Sequence, residues 1–199
     1  MIQFINNKEV PITIFQKFHE NGLLSNQPNI DAACLSTFNT INNEISSRFI
    51  NIKYVKNNKF IFFSNYESPK AKDIKTFNKV SCVFFWPNIN LQVRIQGSIK
   101  KTTEKCSDEH FNNRTKEKNI LSIISNQSRE TKTYDNFVKK YYKFIENYDK
   151  KINRPNYWGG YEITPIYYEF WEGHKNRLNK RLFYRINDSG IWESGYLEP

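Results

Sequence analysis

The chain has little glycine, proline or cysteine, and these shortages exclude several classes of protein. Seven glycines and seven prolines among 199 residues are too few for a collagen-like or low-complexity chain. The three cysteines, Cys34, Cys82 and Cys106, have no C-x-x-C spacing, and the first two lie in apolar runs. We therefore expect buried free thiols rather than disulfides or a metal site.

Long hydrophobic segments are also missing. No apolar run approaches the ~20 residues of a membrane-spanning helix. The N-terminus, MIQFINNKEV, lacks the basic and apolar regions of a secretory signal. The sequence thus predicts a cytoplasmic protein without a membrane partner.

Aromatic residues, by contrast, are abundant. Phe, Tyr and Trp make up 16% of the chain, although its whole hydrophobic share is only 38%. Because aromatic side chains bury large areas, we expect them to supply much of the core. This composition argues against a disordered chain, and the length fits one domain.

The formal net charge of +10 makes nucleic acid the first partner to consider, because clustered lysines and arginines neutralise phosphates. The basic residues are, however, spread along the whole length. The sequence contains no helix-turn-helix, zinc-finger or RNP-type signature. We expect mostly solvent-facing lysines and no nucleic-acid partner.

Hydrophobic periodicity and turn residues predict short strands with inserted helices. Predicted helices span 11–24, 68–78, about 107–114, 119–126 and 134–150. Predicted strands span 31–38, 45–55, 59–65, 80–86, 90–102, 160–170, 181–186 and 191–196, with a hairpin turn at Asn57-Asn58. The pattern favours an antiparallel barrel with peripheral helices, and an open α+β sheet is the alternative.

Aromatic rings and arginines alternate in the C-terminal quarter, in WGGY (158–161), EFW (169–171), NRL (176–178) and RLFYR (181–185). Rings can stack on a flat heterocycle, and arginines can hold an anionic group through two hydrogen bonds. Such residues also occur as ordinary packing, so the cluster indicates a ligand only in combination with other motifs.

Two further groups carry positive charge. Arg48 and Lys53 are five residues apart, so on an unbroken strand they would point to opposite faces. A bulge, or a position at the strand's end, could bring both to one site. Ser68-Pro69-Lys70 begins a predicted helix whose N-terminus suits a phosphate, although ordinary capping explains the same residues.

Together with WPNINLQVRIQG at 86–97, these motifs resemble the pyridoxine/pyridoxamine 5′-phosphate oxidase family, a group of FMN flavoproteins. The resemblance covers about residues 11–199. It implies a mainly β fold with peripheral helices, an antiparallel split β-barrel that forms a homodimer with FMN at the interface. It also implies a single domain over 1–199, with a helical segment at 1–25 and site-completing strands at 156–199.

The resemblance assigns cofactor-binding residues by their positions in the family's motifs. They are Arg48, Lys53, Phe63, Ser64, Ser68, Lys70, Gln92, Gln127, Ser128, Trp171 and Arg181. Pro69 stands where the family has an arginine, so one expected phosphate contact is missing.

The resemblance also implies a substrate site for a phosphorylated B6 vitamer, with no metal. Its residues are Lys53, His110, Arg114, Lys118, Arg177 and Asn179, and Arg177 is the residue expected beside the reacting carbon. His110, Lys118 and Asn179 replace a tyrosine, a serine and a histidine of the family. Each replacement is polar, and Lys118 adds a charge suited to phosphate.

The leading hypothesis is therefore an FMN-dependent oxidase of pyridoxamine or pyridoxine 5′-phosphate. A divergent FMN flavoprotein with another substrate is the main alternative, because four positions of the motifs are altered. A non-catalytic protein that binds FMN or pyridoxal phosphate is a third hypothesis. A nucleic-acid binder is a fourth, supported by net charge alone.

Overall fold

The computed structural model describes residues 1–147 and 152–199, and in these residues ten strands form one hydrogen-bonded sheet. The strands are β1 (Gln3–Ile5), β2 (Ala32–Asn39), β3 (Glu44–Asn51), β4 (Tyr54–Lys56), β5 (Lys59–Asn65), β6 (Lys79–Trp86), β7 (Leu91–Lys101), β8 (Trp158–Glu172), β9 (Lys180–Ile186) and β10 (Trp192–Leu197). The helices are α1 (Val10–Leu24), α2 (Pro69–Thr76), α3 (Glu104–Asn112), α4 (Lys116–Ile124) and α5 (Tyr134–Asn147), with a 3₁₀ turn at Pro87–Ile89.

The long strand β8 organises the sheet. One of its edges pairs with the whole of β7 over residues 161–172. The other edge pairs with β5 over residues 158–163 and with β9 over residues 167–172. The sheet therefore divides at residues 164–166 into two branches, which continue as β5-β4-β1 and β9-β10.

A β-bulge lies next to this division. Gln96 pairs with Tyr167 but Gly97 pairs with Pro165, so Ile166 is the extra residue of β8. A Cβ atom on Gly97 would overlap the carbonyl oxygen of Thr164. The bulge therefore requires glycine because the two backbones approach too closely for any side chain.

The core is dominated by aromatic rings, as the composition predicts. Phe15 of α1 is fully buried, and its ring centroid lies 5.0 Å from those of Phe60 and Phe84 and 5.5 Å from that of Trp86. Burying a side chain of this size stabilises a fold by about 1.5–3 kcal/mol. Helix α1 is thereby fixed against the sheet through residues of β5 and β6.

The predicted strand 45–55 is wrong in one respect, because it is two strands. β3 pairs with β2, whereas β4 pairs with β1 and β5. Between them, the N–H of Ile52 donates to the carbonyl of Asp31 and that of Lys53 donates to the carbonyl of Ile61. The chain changes partners at this link without a glycine or proline to mark it.

The N-terminus and α3 also differ from the prediction. The segment 1–25, expected to be helical, begins with β1, whose pairing with β4 is parallel in an otherwise antiparallel sheet. Helix α3 begins at Glu104 rather than near Ser107, because the Thr103 hydroxyl caps it by accepting from the Cys106 N–H at 3.2 Å. Ser107 is buried and accepts from the N–H of Gly160.

Asparagine takes the left-handed backbone conformation at most of the tight turns. Asn57 and Asn58 have φ of 49° and 63°, which confirms the predicted hairpin turn between β4 and β5. Of the nine non-glycine residues with positive φ among the described residues, seven are asparagines. The asparagine side chain tolerates this region better than most.

The last predicted helix, 134–150, agrees with α5 as far as Asn147, and residues 148–150 lie outside the described residues. Within residues 1–147 and 152–199, none of the helices has the length and apolar composition needed to cross a membrane.

Replacing Gly97 by alanine should lower the free energy of unfolding by about 2–3 kcal/mol, because the new methyl group would push β7 away from Thr164. Gly190→Ala is the matched control. No atom lies near a Cβ there, but φ is +77°, so the cost should be only about 1 kcal/mol. Urea unfolding of both variants measures the difference, and equal losses would contradict the steric explanation.

Candidate functional site

A cleft beside β5 collects most of the basic side chains that the sequence singled out. Its main cavity has a volume of about 350 Å³. It is lined by Phe49, Ile50, Asn51, Lys53, Phe63, Ser64, Lys70, His110, Arg114, Lys118, Gln127 and Trp158. A second cavity of about 300 Å³ adjoins it and shares Phe63, Ser64, Arg114, Gln127 and Trp158. Among the described residues, the lining of the main cavity contains four cationic side chains and no carboxylate.

Three nearly parallel rings form one wall of this cleft. Phe63 and His110 stack with their centroids 3.7 Å apart and their planes at 9°. Trp158 is parallel to both, with its centroid 5.6 Å from that of Phe63. The Arg114 guanidinium lies over the Trp158 ring at 4.5 Å, a cation–π contact that fixes the arginine at the cavity.

Lys70 is a buried cation without a counter-charge. Lys70 lies in the first turn of α2, and its ammonium donates to the hydroxyls of Ser64 at 3.1 Å and Ser68 at 3.2 Å. Among the described residues no carboxylate lies within ion-pair distance of it. Burial, followed by the nearby charge of Arg48, lowers the pKa of Lys70 from 10.5 to about 8.

Such an ammonium is costly in the ligand-free protein, because burial removes its hydration and nothing replaces the missing negative charge. A phosphate would supply that charge and accept hydrogen bonds from the ammonium and the hydroxyls. Ser68 supports this arrangement. It occupies the N-cap position predicted from the sequence, but its hydroxyl makes no capping bond and accepts from Lys70 instead.

A second group of cations surrounds His110. Burial lowers the pKa of Arg114 to about 10 and also lowers that of Lys53. The pKa of His110 falls to about 4, first through burial and then through the charges of Arg114, Lys53 and Lys118. The imidazole is therefore neutral at physiological pH, and the pocket repels further positive charge.

Arg48 and Lys53 reach different places. Lys53 lies in the link between β3 and β4 and lines the cavity. Arg48 donates to the hydroxyl of Thr37 on β2 at 2.6 Å and lies 3.7 Å from the carboxylate of Asp73 on α2. The strand does end after Asn51, but this break brings only Lys53 to the cavity and does not bring both cations to one site.

The remaining predicted residues lie at the other end of β8. Trp171 pairs with Gln92 of β7 and with Arg181 of β9. Trp158 and Trp171 are thirteen residues apart on one strand, a span of up to ~43 Å at 3.3 Å per residue. One chain therefore holds the expected site residues in two groups, which it does not bring together.

The β8–β9 loop carries Arg177 and Asn179. Arg177 is exposed and has a left-handed backbone, with φ of 61°. The side-chain oxygen of Asn179 accepts from the N–H of His174 at 3.0 Å. Asn179 therefore stabilises the loop that presents Arg177.

Gln127 and Ser128 separate in the structure. The Gln127 side chain reaches the cleft, where its Oε1 accepts from the N–H of Asn65 at 3.2 Å. Ser128 has φ of 63° and lines a neighbouring cavity instead.

No site role was predicted for three residues of this region, although Trp158 belongs to the WGGY motif singled out above. Tyr54 contacts His110, Trp158 completes the ring wall, and Asp73 holds Arg48. Helical spacing could have indicated that Asp73 lies near this site, because it is three residues after Lys70 on α2. Nothing in the sequence pairs Tyr54 with a residue 56 positions away.

Family models match most of the chain. Residues 26–144 match the model described as "Pyridoxamine 5′-phosphate oxidase". Residues 158–199 match the model described as "Pyridoxine 5′-phosphate oxidase C-terminal dimerisation region".

Curated relatives of similar length carry the corresponding name. The pyridoxine/pyridoxamine 5′-phosphate oxidase of Leptospira interrogans is 33% identical over 190 residues, which cover 95% of this chain and 88% of the relative. That of Rhodopirellula baltica is 32% identical over 198 residues, covering 96% and 88%.

Solved structures show the same fold. PhzG from Burkholderia lata, in complex with tetrahydrophenazine-1-carboxylic acid, has a TM-score of 0.89 at 23% identity and covers 98% of this chain and 95% of its own. A pyridoxamine 5′-phosphate oxidase-related, FMN binding protein from Nostoc punctiforme has a TM-score of 0.77 at 15% identity, covering 98% and 99%. These likenesses confirm the predicted split-barrel fold class.

Replacing Lys70 by methionine should stabilise the ligand-free protein by about 1–3 kcal/mol at pH 7, because it removes a buried, unpaired charge. The folded-state pKa of about 8 lies below the unfolded value. The penalty is therefore complete below pH 8 and fades as pH rises toward 10.5. Urea unfolding at pH 7 and pH 10 measures this gain and its decline.

Lys72→Met, an exposed position on the same helix, is the control and should change stability by less than about 0.5 kcal/mol. A Lys70→Met protein that is less stable than the parent at pH 7 would contradict the unpaired-charge interpretation.

Proposed function

Because this chain belongs to the pyridoxine/pyridoxamine 5′-phosphate oxidase family, we propose that it is an FMN-dependent oxidase that makes pyridoxal 5′-phosphate. With pyridoxamine 5′-phosphate the net reaction consumes O2 and water and yields hydrogen peroxide and ammonia. With pyridoxine 5′-phosphate it consumes O2 and yields hydrogen peroxide.

One observation supports the proposal above others: the main cavity of the cleft contains two cationic groups and, among the described residues, no carboxylate. Lys70 with Ser64 and Ser68 forms the first group, and Lys53, Arg114 and Lys118 form the second. The reaction brings two phosphorylated molecules together, a cofactor and a substrate, and each needs its own cationic site.

The residues of the first group fit the phosphate of FMN. Lys70 is 7% exposed and lacks a counter-ion among the described residues, so a phosphate would remove the cost of its burial. Arg48, held by Thr37 and Asp73, is near enough for its charge to lower the pKa of Lys70. Bound FMN would supply the hydride acceptor and the reactivity toward O2 that no amino-acid side chain offers.

The second group fits the phosphate of the substrate. Arg114 is held by the Ser122 hydroxyl at 2.8 Å and the Lys118 carbonyl at 3.0 Å, so its remaining donors face a fixed direction. Lys53 and Lys118 add charge on the same cavity wall. Their role is to bind and orient the substrate.

A homodimer would complete the site. Five of the expected residues lie on β7, β8, β9 and the β8–β9 loop, far from the cleft of their own chain. They are Gln92, Trp171, Arg177, Asn179 and Arg181. In the proposed dimer a second copy brings this group to the first copy's cleft, with the cofactor between them. The match of residues 158–199 to a dimerisation region of the family supports this arrangement, in which Arg177 lies beside the reacting carbon.

A different substrate is the second candidate, and Asn179 favours it. Its amide oxygen is engaged by the His174 N–H within its own loop, at the position where the family's histidine would face the substrate. PhzG, whose fold is similar, was solved with a phenazine derivative rather than a B6 vitamer.

The anaerobic half-reaction tests the proposal. Protein reconstituted with FMN should lose its yellow colour when pyridoxamine 5′-phosphate is added without O2, and recover it when O2 is admitted. Protein that stays colourless with added FMN contradicts any flavoprotein function. Yellow protein that is not bleached by pyridoxamine or pyridoxine 5′-phosphate supports the second candidate.

Arg114→Ala should raise the KM for pyridoxamine 5′-phosphate between about tenfold and a hundredfold, the cost of losing a charged hydrogen bond to phosphate. Steady-state peroxide release measures this effect. Lys116→Ala, an exposed residue of α4, is the control and should leave KM unchanged. An unchanged KM in the Arg114 variant would remove this residue from the substrate site.

A further inference from the structure

We propose that Tyr54 is a positioning residue that fixes His110 as a neutral hydrogen-bond donor, with its proton on Nε2, toward an anionic group in the main cavity. The inference rests on the proposed function in taking that group to be the substrate's phosphate. The pairing of Tyr54 with His110 itself does not depend on the reaction.

The contact between the two side chains is well defined. The hydroxyl of Tyr54 lies 2.9 Å from His110 Nδ1, and the two rings meet edge to face at 86°. On its flat side the imidazole stacks on Phe63 at 3.7 Å. Phe63 thus fixes the plane of the His110 ring, and Tyr54 fixes the rotation of the ring within that plane.

This contact determines which nitrogen carries the proton. A neutral imidazole has one N–H and one acceptor nitrogen. Among the described residues the Tyr54 hydroxyl has no hydrogen-bond partner besides Nδ1. A phenol O–H donating to an unprotonated nitrogen is the stronger pairing, because the nitrogen is a better acceptor than the phenol oxygen. Nδ1 is then the acceptor, and Nε2 carries the proton.

The charges around the ring keep it neutral. Lys53 approaches from the β3–β4 link, Arg114 follows α3 and Lys118 lies on α4, and all three lower the pKa of His110. Burial, and then Cys106 and Glu109 of α3, raise the pKa of Tyr54, so the phenol keeps its proton. Within residues 1–147 and 152–199, no carboxylate lines the cavity to stabilise an imidazolium.

Nε2 is the free end of this arrangement. His110 lines the cavity, and within the described residues Nε2 makes no hydrogen bond. A neutral N–H at this point can bind a phosphate oxygen without adding a charge that the neighbouring cations would oppose. Tyr54 and His110 together would then act as a single donor whose direction is set by the tyrosine.

Nitrogen NMR tests the tautomer without any turnover. The chain has three histidines, so the spectrum of His110→Phe identifies the His110 signals. In the parent protein we expect a protonated Nε2 and a hydrogen-bonded, unprotonated Nδ1 at pH 7. Tyr54→Phe should shift the Nδ1 signal and populate both tautomers. A proton on Nδ1 in the parent, or identical signals in the variant, would overturn the inference.

Titration with inorganic phosphate tests the direction of the donor. Phosphate should shift the Nε2–H signal of the parent protein and shift it less in Tyr54→Phe. A signal that does not respond to phosphate in the parent would show that Nε2 does not face the anion.

Kinetics test the consequence for the substrate. Tyr54→Phe should raise the KM for pyridoxamine 5′-phosphate about fivefold, the value of one neutral hydrogen bond, with kcat changed less than twofold. In a His110→Phe background the same change should have no further effect, because the two residues act as a unit. Additive losses would overturn the positioning role.

Tyr157→Phe is the matched control, since it also removes a phenol hydroxyl, one that donates to the Ile123 carbonyl. It should leave KM within twofold of the parent. A protein with the expected tautomer and phosphate response but no oxidation of pyridoxamine 5′-phosphate would contradict the proposed function and leave the Tyr54–His110 pair intact.

Discussion

The architecture depends on one constraint: two strands, β5 and β9, share one edge of β8. β5 occupies the first half of that edge and β9 the second, and the bulge at Gly97 lets β7 follow both halves. As a result, the cleft with Trp158 and the loop with Arg177 are at opposite ends of one strand. The chain supplies two half-sites, and their separation follows from the sheet alone.

Charge is distributed unequally between these half-sites. At the far end, Arg94 and Arg181 each lie within 2.8 Å of the buried Glu169, so those cations are paired within the chain. In the cleft the cations have hydroxyls, carbonyls and rings as neighbours instead. A net charge of +10 is therefore less informative than its placement, because only unpaired buried charge implies an anionic ligand.

Much of the fold and part of the site could be predicted from the sequence, for different reasons. Periodicity and turn residues identify α1, α2, β5 and β7 because local patterns determine them. The strand change after Asn51 depends on pairing with β1 and β5, which no local pattern encodes. Motif resemblance placed Lys53, Lys70 and Arg114 at one cleft, and the structure brings these three together.

What the sequence could not supply is the partner of each side chain. Asp73 beside Arg48 and Tyr54 beside His110 are separated in sequence by 25 and 56 residues. Their contacts arise because α2 packs on β2, which pairs with β3, and α3 packs on β8, whose neighbour β5 pairs with β4. His110 and Asn179, which replace other residues of the family's motifs, show the same limit, because their side-chain hydrogen bonds are with residues outside those motifs.

The asparagine turns have an effect on the unfolded chain. Glycine would adopt the same left-handed conformations without strain, but it leaves the denatured ensemble with more backbone freedom to lose on folding. Asparagine restricts that ensemble while still tolerating positive φ. A chain with seven glycines, and with seven left-handed asparagines in the part that the structure describes, thus gains part of its stability from a denatured state of lower entropy.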